Sequence, residues 1–282
     1  MKCLSLFSGI GGFDLALQNL GHEIIGACEI KNESRQIYAR HFGNTRIYRD
    51  VKDINEKELP DFDLLVAGFP CQAFSAAGLG KGFQDTRGTL FFDIARIAEE
   101  KKPQYLLLEN VEGLLTNDNG RTFTKILVVL HEIGYDVEWQ VINSKYFVPQ
   151  NRPRIFIIGH LRGKSQPRVF PIREHEMGIP ERRCYQVAKL SNRKFESSGR
   201  IYSTKGCARA LKAECGDKTG HYIIDDKPSF LTPIECERLQ GFPDGWTKGF
   251  AKTIRQTMIG NAVSVPVIEF LITSLTDSDG KK

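Results

Sequence analysis

The sequence predicts an α/β protein with a doubly wound, mostly parallel sheet and a second, smaller domain. Two observations predict the sheet: short apolar runs alternate with helical periodicity, and several runs end in glycine or acidic residues. One observation predicts the second domain: beyond His160 helical periodicity stops and basic residues accumulate. We expect an α/β domain at 1–160, a small basic domain at 161–228, and a return segment at 229–282 that completes the first.

Each predicted element follows from its pattern of apolar residues. Strands are predicted at KCLSLF, EIIGACE, FDLLVAG, YLLLEN, VEWQVIN and RIFIIGH, and helices at FDLALQNL, KNESRQIYARHF and RTFTKILVVLHEIG. In the return segment, TPIECERLQ has a proline at the first helical position after a threonine cap. Residues 262–275 have the apolar pattern of a helix that packs on the sheet.

Composition excludes several classes of protein. The chain has 282 residues, of which 41% are hydrophobic and 26% charged, as in soluble globular proteins. No apolar run reaches the roughly 18 residues of a membrane helix, and the glycine-rich start does not resemble a signal peptide, so we expect a cytoplasmic protein. The seven cysteines form no CxxC pair, which argues against a zinc site, and their odd number argues against a disulfide framework.

Positive charge is concentrated in the predicted small domain. Residues 161–228 carry 15 Lys and Arg against 8 Asp and Glu, a balance of +7, whereas the rest of the chain carries 24 against 26. A solvated basic face and a polyanion-binding module both fit this balance.

Three features point to a nucleoside-containing cofactor at the carboxyl edge of the sheet. The turn Phe7-Ser8-Gly9-Ile10-Gly11-Gly12 separates the first strand from the first helix, where glycines let a ligand approach the backbone. Glu29 ends the second strand, a position from which an acidic residue commonly binds ribose hydroxyls, and Asp50 is a third contact by the same logic. Each feature also has an alternative interpretation when taken singly. The turn is then a glycine-rich turn without a ligand, and Glu29 is a carboxylate on the surface.

Cys71 follows the strand FDLLVAG at the same edge. A free thiol has a pKa near ~8.5, so a nucleophilic role needs help from its surroundings, and a small core thiol is the alternative. The stretch SAAGLGKGFQDTRG after it has four glycines, the composition of a loop that closes over a substrate.

Glu109 ends YLLLEN, and burial there predicts a raised pKa and a capacity to donate a proton. A carboxylate that caps the next turn is the alternative. In the extended segment QNRPR, alternation places Gln150, Arg152 and Arg154 on one face, either as site residues or as a structural ion-pair set.

Six blocks together resemble the cytosine-5 DNA methyltransferases of bacterial restriction-modification systems. They are LFSGIGGFDLAL, GFPCQAFSAAG, LLLENVEGLL, QNRPRIFIIG, LTPIECERLQGFPDGW and QTMIGNAVSVPV, in the family's order, and they span residues 4–267. The gap between the fourth and fifth blocks matches the family's variable target-recognition region. The resemblance implies the Rossmann-like fold of methyltransferases that use S-adenosylmethionine.

The resemblance also implies catalytic roles. Cys71 is then the nucleophile that adds to carbon 6 of cytosine, after which carbon 5 takes the methyl group of S-adenosylmethionine and loses its proton. Glu109 holds ring nitrogen 3 and the exocyclic amine, Arg154 contacts the cytosine carbonyl, and Arg152 supports it. A proton near nitrogen 3 stabilises the charge that develops on the ring, so a raised pKa of Glu109 is useful.

Binding roles follow from the same blocks. The resemblance assigns the cofactor pocket to Phe7, Gly9, Gly11, Gly12, Glu29, Ile30, Asp50, Leu90 and Asn261. It assigns substrate contacts to Pro70, Gln72, Ser75, Asn110, Val111 and Gln150. It implies a double-stranded DNA substrate with a flipped cytosine, a monomer without a metal, and in some systems a restriction endonuclease for the same site.

Base contacts in the major groove then determine which DNA sequence is recognised. The stretch STKGCARALKAECGDKTGHY is predicted to make these contacts. Two alternatives stay open. One is a relative that methylates tRNA, against which the Pro70-Cys71-Gln72 form favours DNA. The other is a DNA-binding module without catalysis, which the intact Pro-Cys, Glu-Asn-Val and Gln-to-Arg sets disfavour.

Overall fold

The computed structural model describes residues 1–70, 90–163, 168–177, 184–189, 200–212, 221–224 and 226–277. Its centre is a seven-stranded sheet in the order β3-β2-β1-β4-β5-β8-β6. The strands are β1 Lys2–Leu6, β2 Glu23–Cys28, β3 Ile47–Tyr48, β4 Leu64–Gly68, β5 Tyr105–Val111, β6 Tyr135–Asn143 and β8 Pro153–Leu161. The first five run parallel, and β8 runs antiparallel to both of its neighbours. The predicted doubly wound, mostly parallel sheet is confirmed.

Helices cover both faces of this sheet, because its central strands are apolar on both sides. They are α1 Gly12–Asn19, α2 Asn32–His41, α3 Leu90–Lys101, α4 Arg121–Glu132, α5 Pro233–Gln240, α6 Lys252–Asn261 and α7 Val265–Asp277. One buried cluster joins the sheet to α1, α2 and α5 to α7, and the other joins it to α3 and α4. The sequence patterns predicted all of these helices except α3 and α6.

The return segment begins with a fully capped helix. The Thr232 hydroxyl accepts the backbone N–H of Glu235, the Glu235 carboxylate accepts the N–H of Thr232, and Pro233 stands at the first helical position. This reciprocal cap satisfies backbone donors that the first turn leaves unpaired. Helix α5 is therefore fixed locally at the point where the chain returns to the main sheet.

A smaller sheet lies between the main sheet and the return segment in sequence. Its order is β13-β12-β10-β9, with β9 Gln186–Lys189, β10 Arg200–Ser203, β12 His221–Ile224 and β13 Lys227–Phe230. A separate pair joins β7 Gln150–Asn151 to β11 Ala208–Arg209. No α-helix occurs in the described part of 161–228. The division of the chain into domains stays a prediction.

One stretch, Lys252–Thr276, is apolar and long enough to cross a membrane by length and composition alone. It comprises α6, α7 and the break between them, and 67% of its apolar window is buried inside the protein. Burial of this extent is that of helices in the core of a soluble protein.

A buried carboxylate stands beneath the start of α1. Asp14 is fully buried and accepts hydrogen bonds from the Ser5 hydroxyl at 2.9 Å and from the Tyr38 hydroxyl at 2.7 Å. Burial raises the pKa of Asp14 to about 6, although both hydrogen bonds favour the charged form. The folded protein therefore holds a proton on Asp14 at pH values where the unfolded chain has lost it.

We expect the stability of the protein to fall as the pH rises from about 4 to about 6, the interval between the unfolded and folded pKa of Asp14. The contribution is on the order of 3 kcal/mol, since the pKa rises from 3.8 to about 6 and one pKa unit corresponds to about 1.4 kcal/mol. Asp14→Asn removes the titration, so urea unfolding across this range is expected to show a flatter profile. Asp53→Asn, at an exposed position, is the control, and parallel profiles for Asp14→Asn and the parent would contradict the assignment.

Candidate active site

The carboxyl ends of five parallel strands and the start of one antiparallel strand meet at a single edge of the sheet. In register, Leu6 pairs with Cys28 and Gly68 with Glu109. Because β8 runs the other way, it begins where β5 ends, and Arg154 pairs with Val111. Ligand sites in open α/β sheets form at this edge. The predicted glycine turn, Glu29, Glu109 and Arg154 therefore lie along the same edge of the sheet.

The turn between β1 and α1 is tied to the end of β2. Ser8 donates its backbone N–H and its hydroxyl to the Cys28 carbonyl, at 2.9 Å and 3.2 Å. Glu29 is buried, and its carboxylate accepts the N–H of Gly9 at 2.9 Å and the N–H of Lys31 at 2.7 Å. A carboxylate with one bond per oxygen retains lone pairs for further donors. Glu29 thus both shapes the turn and is able to accept a hydroxyl.

Two glycines of the turn are required for different reasons. Gly11 has φ +87°, and a Cβ there would lie 2.3 Å from the Phe42 ring, so neither the backbone nor the space admits a side chain. Gly9 has φ +57°, and a Cβ there would meet no atom within 4 Å. The turn is closed on the side of Gly11 and open on the side of Gly9, where a ligand has access to the backbone.

Glu109 and Arg154 form an ion pair at the mouth of the edge. Arg154 Nε lies 3.1 Å from Glu109 Oε1, and the side chains are 17% and 12% exposed. Burial raises the pKa of Glu109, while Arg154 and then Arg152 oppose the rise. The predicted direction of the pKa is confirmed. The pair places a carboxyl that holds a proton more readily than usual beside a guanidinium.

Asn110 fixes the backbone that leads to the Pro-Cys pair. It is buried, and its side-chain amide donates to the Phe69 carbonyl at 2.9 Å, while its oxygen accepts the N–H of Val111 at 2.8 Å. Pro70 follows directly and is exposed. Cys71, Gln72, Ser75 and the glycine-rich stretch lie outside the described residues. Asn110 therefore acts on the approach to Cys71, and sets where that segment leaves β4.

Gln150 and Arg152 point inward. Gln150 donates to the Leu239 carbonyl at 2.8 Å and accepts the N–H of Leu211 at 3.0 Å. The Arg152 guanidinium donates to the carbonyls of Leu211, Gly260 and Ala262, at 3.1, 3.0 and 2.9 Å. Its Nε is buried without a hydrogen-bond partner. Both side chains join the start of β8 to segments far along the chain, whereas Arg154 alone reaches Glu109.

The remaining predicted residues stand around this edge. Ile30 is 62% exposed after the end of β2, and Val111 is exposed at the end of β5. Asp50 caps a short turn through the N–H of Lys52. Leu90 is the first residue of α3, Asn261 the last of α6, and Phe7 has φ +55°. A Cβ at Gly12 would lie 2.9 Å from the Val263 side chain, so Gly12 is a packing position.

The described cysteines divide into inert and paired thiols. Burial raises the pKa of Cys3, Cys28 and Cys236 to about 12, so these three do not supply a thiolate at neutral pH. The sulfurs of Cys184 and Cys207 lie 2.7 Å apart, and the bond from Cys207 lowers the pKa of Cys184 to about 7. Cys184 precedes β9 of the small sheet, and its partners are Cys207, the Ala208 carbonyl and Asn151.

Sequence reasoning missed a buried polar network behind the site. Gln240 donates to the carbonyls of Ile259 and Ala262 at 3.1 and 3.0 Å, and its oxygen accepts from Ser264 at 2.7 Å and from Gln150 at 3.2 Å. The available signal was a glutamine at the end of a predicted helix, directly before a glycine. The network connects α5, α6 and the start of α7 to β7, which directly precedes the strand that carries Arg154.

Comparison with known proteins identifies the family. The family model for C-5 cytosine-specific DNA methylase matches residues 1–205 and 182–277, which is nearly the whole chain. The chain belongs to the C-5 cytosine-specific DNA methylases. It is a DNA cytosine-5 methyltransferase, and the match does not favour the alternative of a tRNA enzyme.

Individual relatives agree over nearly the full length. The chain is 33% identical to the Type II methyltransferase M.HhaI of Haemophilus parahaemolyticus, over 99% of this chain and 95% of the relative. It is 46% identical to the Type II methyltransferase M.NgoBV of Neisseria gonorrhoeae, over 98% of this chain and 71% of the relative. Among solved structures, a DNMT2 variant of Spodoptera frugiperda has the same fold, with a TM-score of 0.76, 19% identity, and coverage of 98% and 99% of the two chains.

We expect Asn110→Asp to lower kcat about tenfold or more, because an aspartate of the same shape cannot donate to the Phe69 carbonyl and leaves that carbonyl without its partner. Methylation of a DNA substrate under saturating conditions measures the effect. Asn44→Asp, an exposed substitution of the same chemistry, is the control and is expected to match the parent. Equal kcat for both variants would show that Asn110 does not position the Pro-Cys segment.

Proposed function

We propose that this methyltransferase acts on a cytosine flipped out of double-stranded DNA, with Cys71 as nucleophile, Glu109 and Arg154 as the groups that bind the ring, and S-adenosylmethionine as methyl donor. The Glu109–Arg154 pair carries the proposal, because it stands at the same edge as the open glycine turn and as Pro70. The edge thus combines a place for a base with a place for a cofactor.

The chemistry proposed for the base depends on where negative charge develops. The Cys71 thiolate adds to carbon 6. The negative charge that it brings is then shared between carbon 5 and nitrogen 3 of the ring. Glu109, whose pKa burial raises, keeps a proton near nitrogen 3, and Arg154 faces the carbonyl oxygen of carbon 2. After carbon 5 has taken the methyl group it loses its proton, the thiolate leaves carbon 6, and the ring recovers its aromatic character.

The glycine turn fits S-adenosylmethionine, which supplies an electrophilic methyl group when bound. The space over Gly9 is open, and Glu29 keeps free lone pairs for ribose hydroxyls. Ile30 presents an exposed apolar side chain at the end of β2, suited to the face of an adenine. Phe7, Gly11, Gly12, Asp50, Leu90 and Asn261 are the other proposed contacts of this pocket.

The small domain at 161–228 is proposed to hold the DNA. Its +7 balance suits a polyanion, since phosphate contacts supply most of the affinity of DNA-binding proteins. Flipping the base costs about a few kcal/mol, which contacts to the opened duplex must offset. The proposed substrate contacts also include Gln72, Ser75, Val111 and Gln150. Gln150 acts through the backbone of Leu211, whose N–H it accepts. Arg152 holds the segment that leads into the strand of Arg154.

The proposed setting is a restriction-modification system in a bacterial cytoplasm. Relatives are named as Type II methyltransferases, and the six sequence blocks resemble the enzymes of restriction-modification systems. We propose that this chain protects one DNA sequence from such an endonuclease, and that it works as a monomer without a metal.

We expect Cys71→Ser to abolish methylation and Cys184→Ser to retain it, because a serine hydroxyl is not ionised at neutral pH and adds poorly to a ring carbon. Bisulfite sequencing of DNA from cells that express each variant measures methylation and reveals the sequence context at once. The two variants compare Cys71 with Cys184, the described thiol whose pKa is lowered. Methylation by Cys71→Ser at the parent level would refute the nucleophile.

We expect Glu109→Gln to lower kcat by about a hundredfold or more while DNA affinity changes little, because glutamine preserves the shape but has no carboxyl proton. A single-turnover methylation assay and a DNA-binding titration separate the two effects. Glu112→Gln, exposed three residues further on, is the control. If Glu109→Gln lost affinity and kept its rate, Glu109 would be a binding residue only.

A further inference from the structure

We propose that Trp246 is a positioning residue for the cofactor turn, and that its indole N–H sets the affinity for S-adenosylmethionine by holding the peptide between Ile10 and Gly11. The inference rests on the proposed binding of this cofactor at the turn. Trp246 lies in the return segment, 236 residues away in sequence from Ile10.

The peptide between Ile10 and Gly11 is held from both sides. Trp246 Nε1 donates to the Ile10 carbonyl at 2.9 Å, and the N–H of the same peptide, on Gly11, donates to the Ser8 carbonyl at 2.8 Å. The Gly11 bond is local and is formed within the turn itself. The Trp246 bond is the one that fixes this peptide relative to the rest of the protein.

Trp246 is itself held firmly. Its ring is 6% exposed and stacks on His41 with 3.5 Å between ring centroids and 4° between planes. The rings of Phe42 and Phe242 lie 5.9 and 5.5 Å away. The His41 ring nitrogen Nε2 also lies 2.9 Å from the Trp246 carbonyl. An indole fixed on this many sides presents its N–H at a defined point.

The turn that carries Trp246 is anchored by a buried carboxylate. Glu237 is fully buried and accepts the backbone N–H groups of Gly245 and Thr247, at 2.7 and 2.9 Å. Arg255 donates to the same carboxylate at 2.9 Å, which pairs the buried charge. The indole is therefore attached to a rigid platform of the return segment.

Loss of the indole N–H leaves the carbonyl of Ile10, a residue that is 1% exposed, without its donor. Burying an unpaired carbonyl is unfavourable, and rotation of the peptide relieves it. The Gly11 N–H belongs to the same peptide and turns with it, which disturbs the wall of the open space over Gly9. Because the reacting groups of Glu109 and Arg154 are not involved, the effect falls on cofactor binding and spares the chemical step.

Trp246→Phe tests this directly, because phenylalanine keeps an aromatic ring in the stack and has no donor. The chain has two tryptophans, and Trp139, 44% exposed on β6, serves as the matched control when changed to phenylalanine. Calorimetry with S-adenosylhomocysteine is expected to show a Kd about tenfold higher for Trp246→Phe and an unchanged Kd for Trp139→Phe. KM for S-adenosylmethionine is expected to rise in parallel, with kcat within about twofold of the parent.

Two further measurements need no turnover. In the free protein, hydrogen exchange at the amides of Gly9 and Gly11 is expected to be faster in Trp246→Phe, while the amides of β1 are unchanged. In Trp139→Phe, Trp246 is the only fluorophore of its kind, and its emission is expected to change on titration with S-adenosylhomocysteine. Trp246→Tyr, which has no donor at the indole nitrogen position, is measured in the same way if Trp246→Phe does not fold.

The outcomes separate this inference from the proposed function. If Trp139→Phe and the parent bind no S-adenosylhomocysteine, the proposed cofactor site fails. If the parent binds and Trp246→Phe binds equally well, the role of Trp246 is refuted while the site stands. Faster exchange throughout the protein, together with a lower kcat at unchanged KM, would show a purely structural role and would also refute the inference.

Discussion

The antiparallel pairing of β8 with β5 is the constraint on which the site depends. Because β8 starts where β5 ends, Arg154 near the start of β8 and Glu109 near the end of β5 meet at one edge. In the register of the two strands, Arg154 stands opposite Val111. In a parallel arrangement Arg154 would stand at the far edge, and Glu109 would be a buried carboxylate without a partner. An uncompensated buried charge is strongly destabilising, so pairing and chemistry impose the same topology.

Positive charge exceeds negative charge around the Glu109–Arg154 pair. Two guanidinium groups act on one carboxylate, and within the described residues the second, Arg152, donates hydrogen bonds to backbone carbonyls and forms no ion pair of its own. The interior behind the edge is therefore cationic in sum. In the proposed reaction, such a region would stabilise the negative charge that develops on the cytosine ring, and its donors would need no reorganisation as that charge develops.

Much of the fold was predictable because its signals are local. The central strands are continuous apolar runs, Glu29 directly follows β2, and Glu109 lies near the end of β5. Helix α6 was missed because KTIRQTMIGN is polar for a core helix, and its burial depends on partners elsewhere in the chain. The partners of Arg152 and Gln240 were not predictable, since they are backbone carbonyls 59 to 110 and 19 to 22 residues away. No periodicity in a sequence specifies which carbonyl a buried side chain will meet.

The contact between Trp246 and Ile10 has a consequence for how the protein is made. During synthesis the first strands and helices leave the ribosome long before residues 242–249, so the glycine turn emerges without the group that fixes it. Helix α1 likewise lacks a partner until α7 is synthesised, because Asn19 at the end of α1 donates a hydrogen bond to Glu269 of α7. If Trp246 has the proposed role, we expect the nascent chain to lack a complete cofactor site until the return segment docks. Premature termination between residues 212 and 245 is then expected to yield a fragment that holds Cys71, Glu109 and Arg154, the proposed reacting groups, and lacks Trp246.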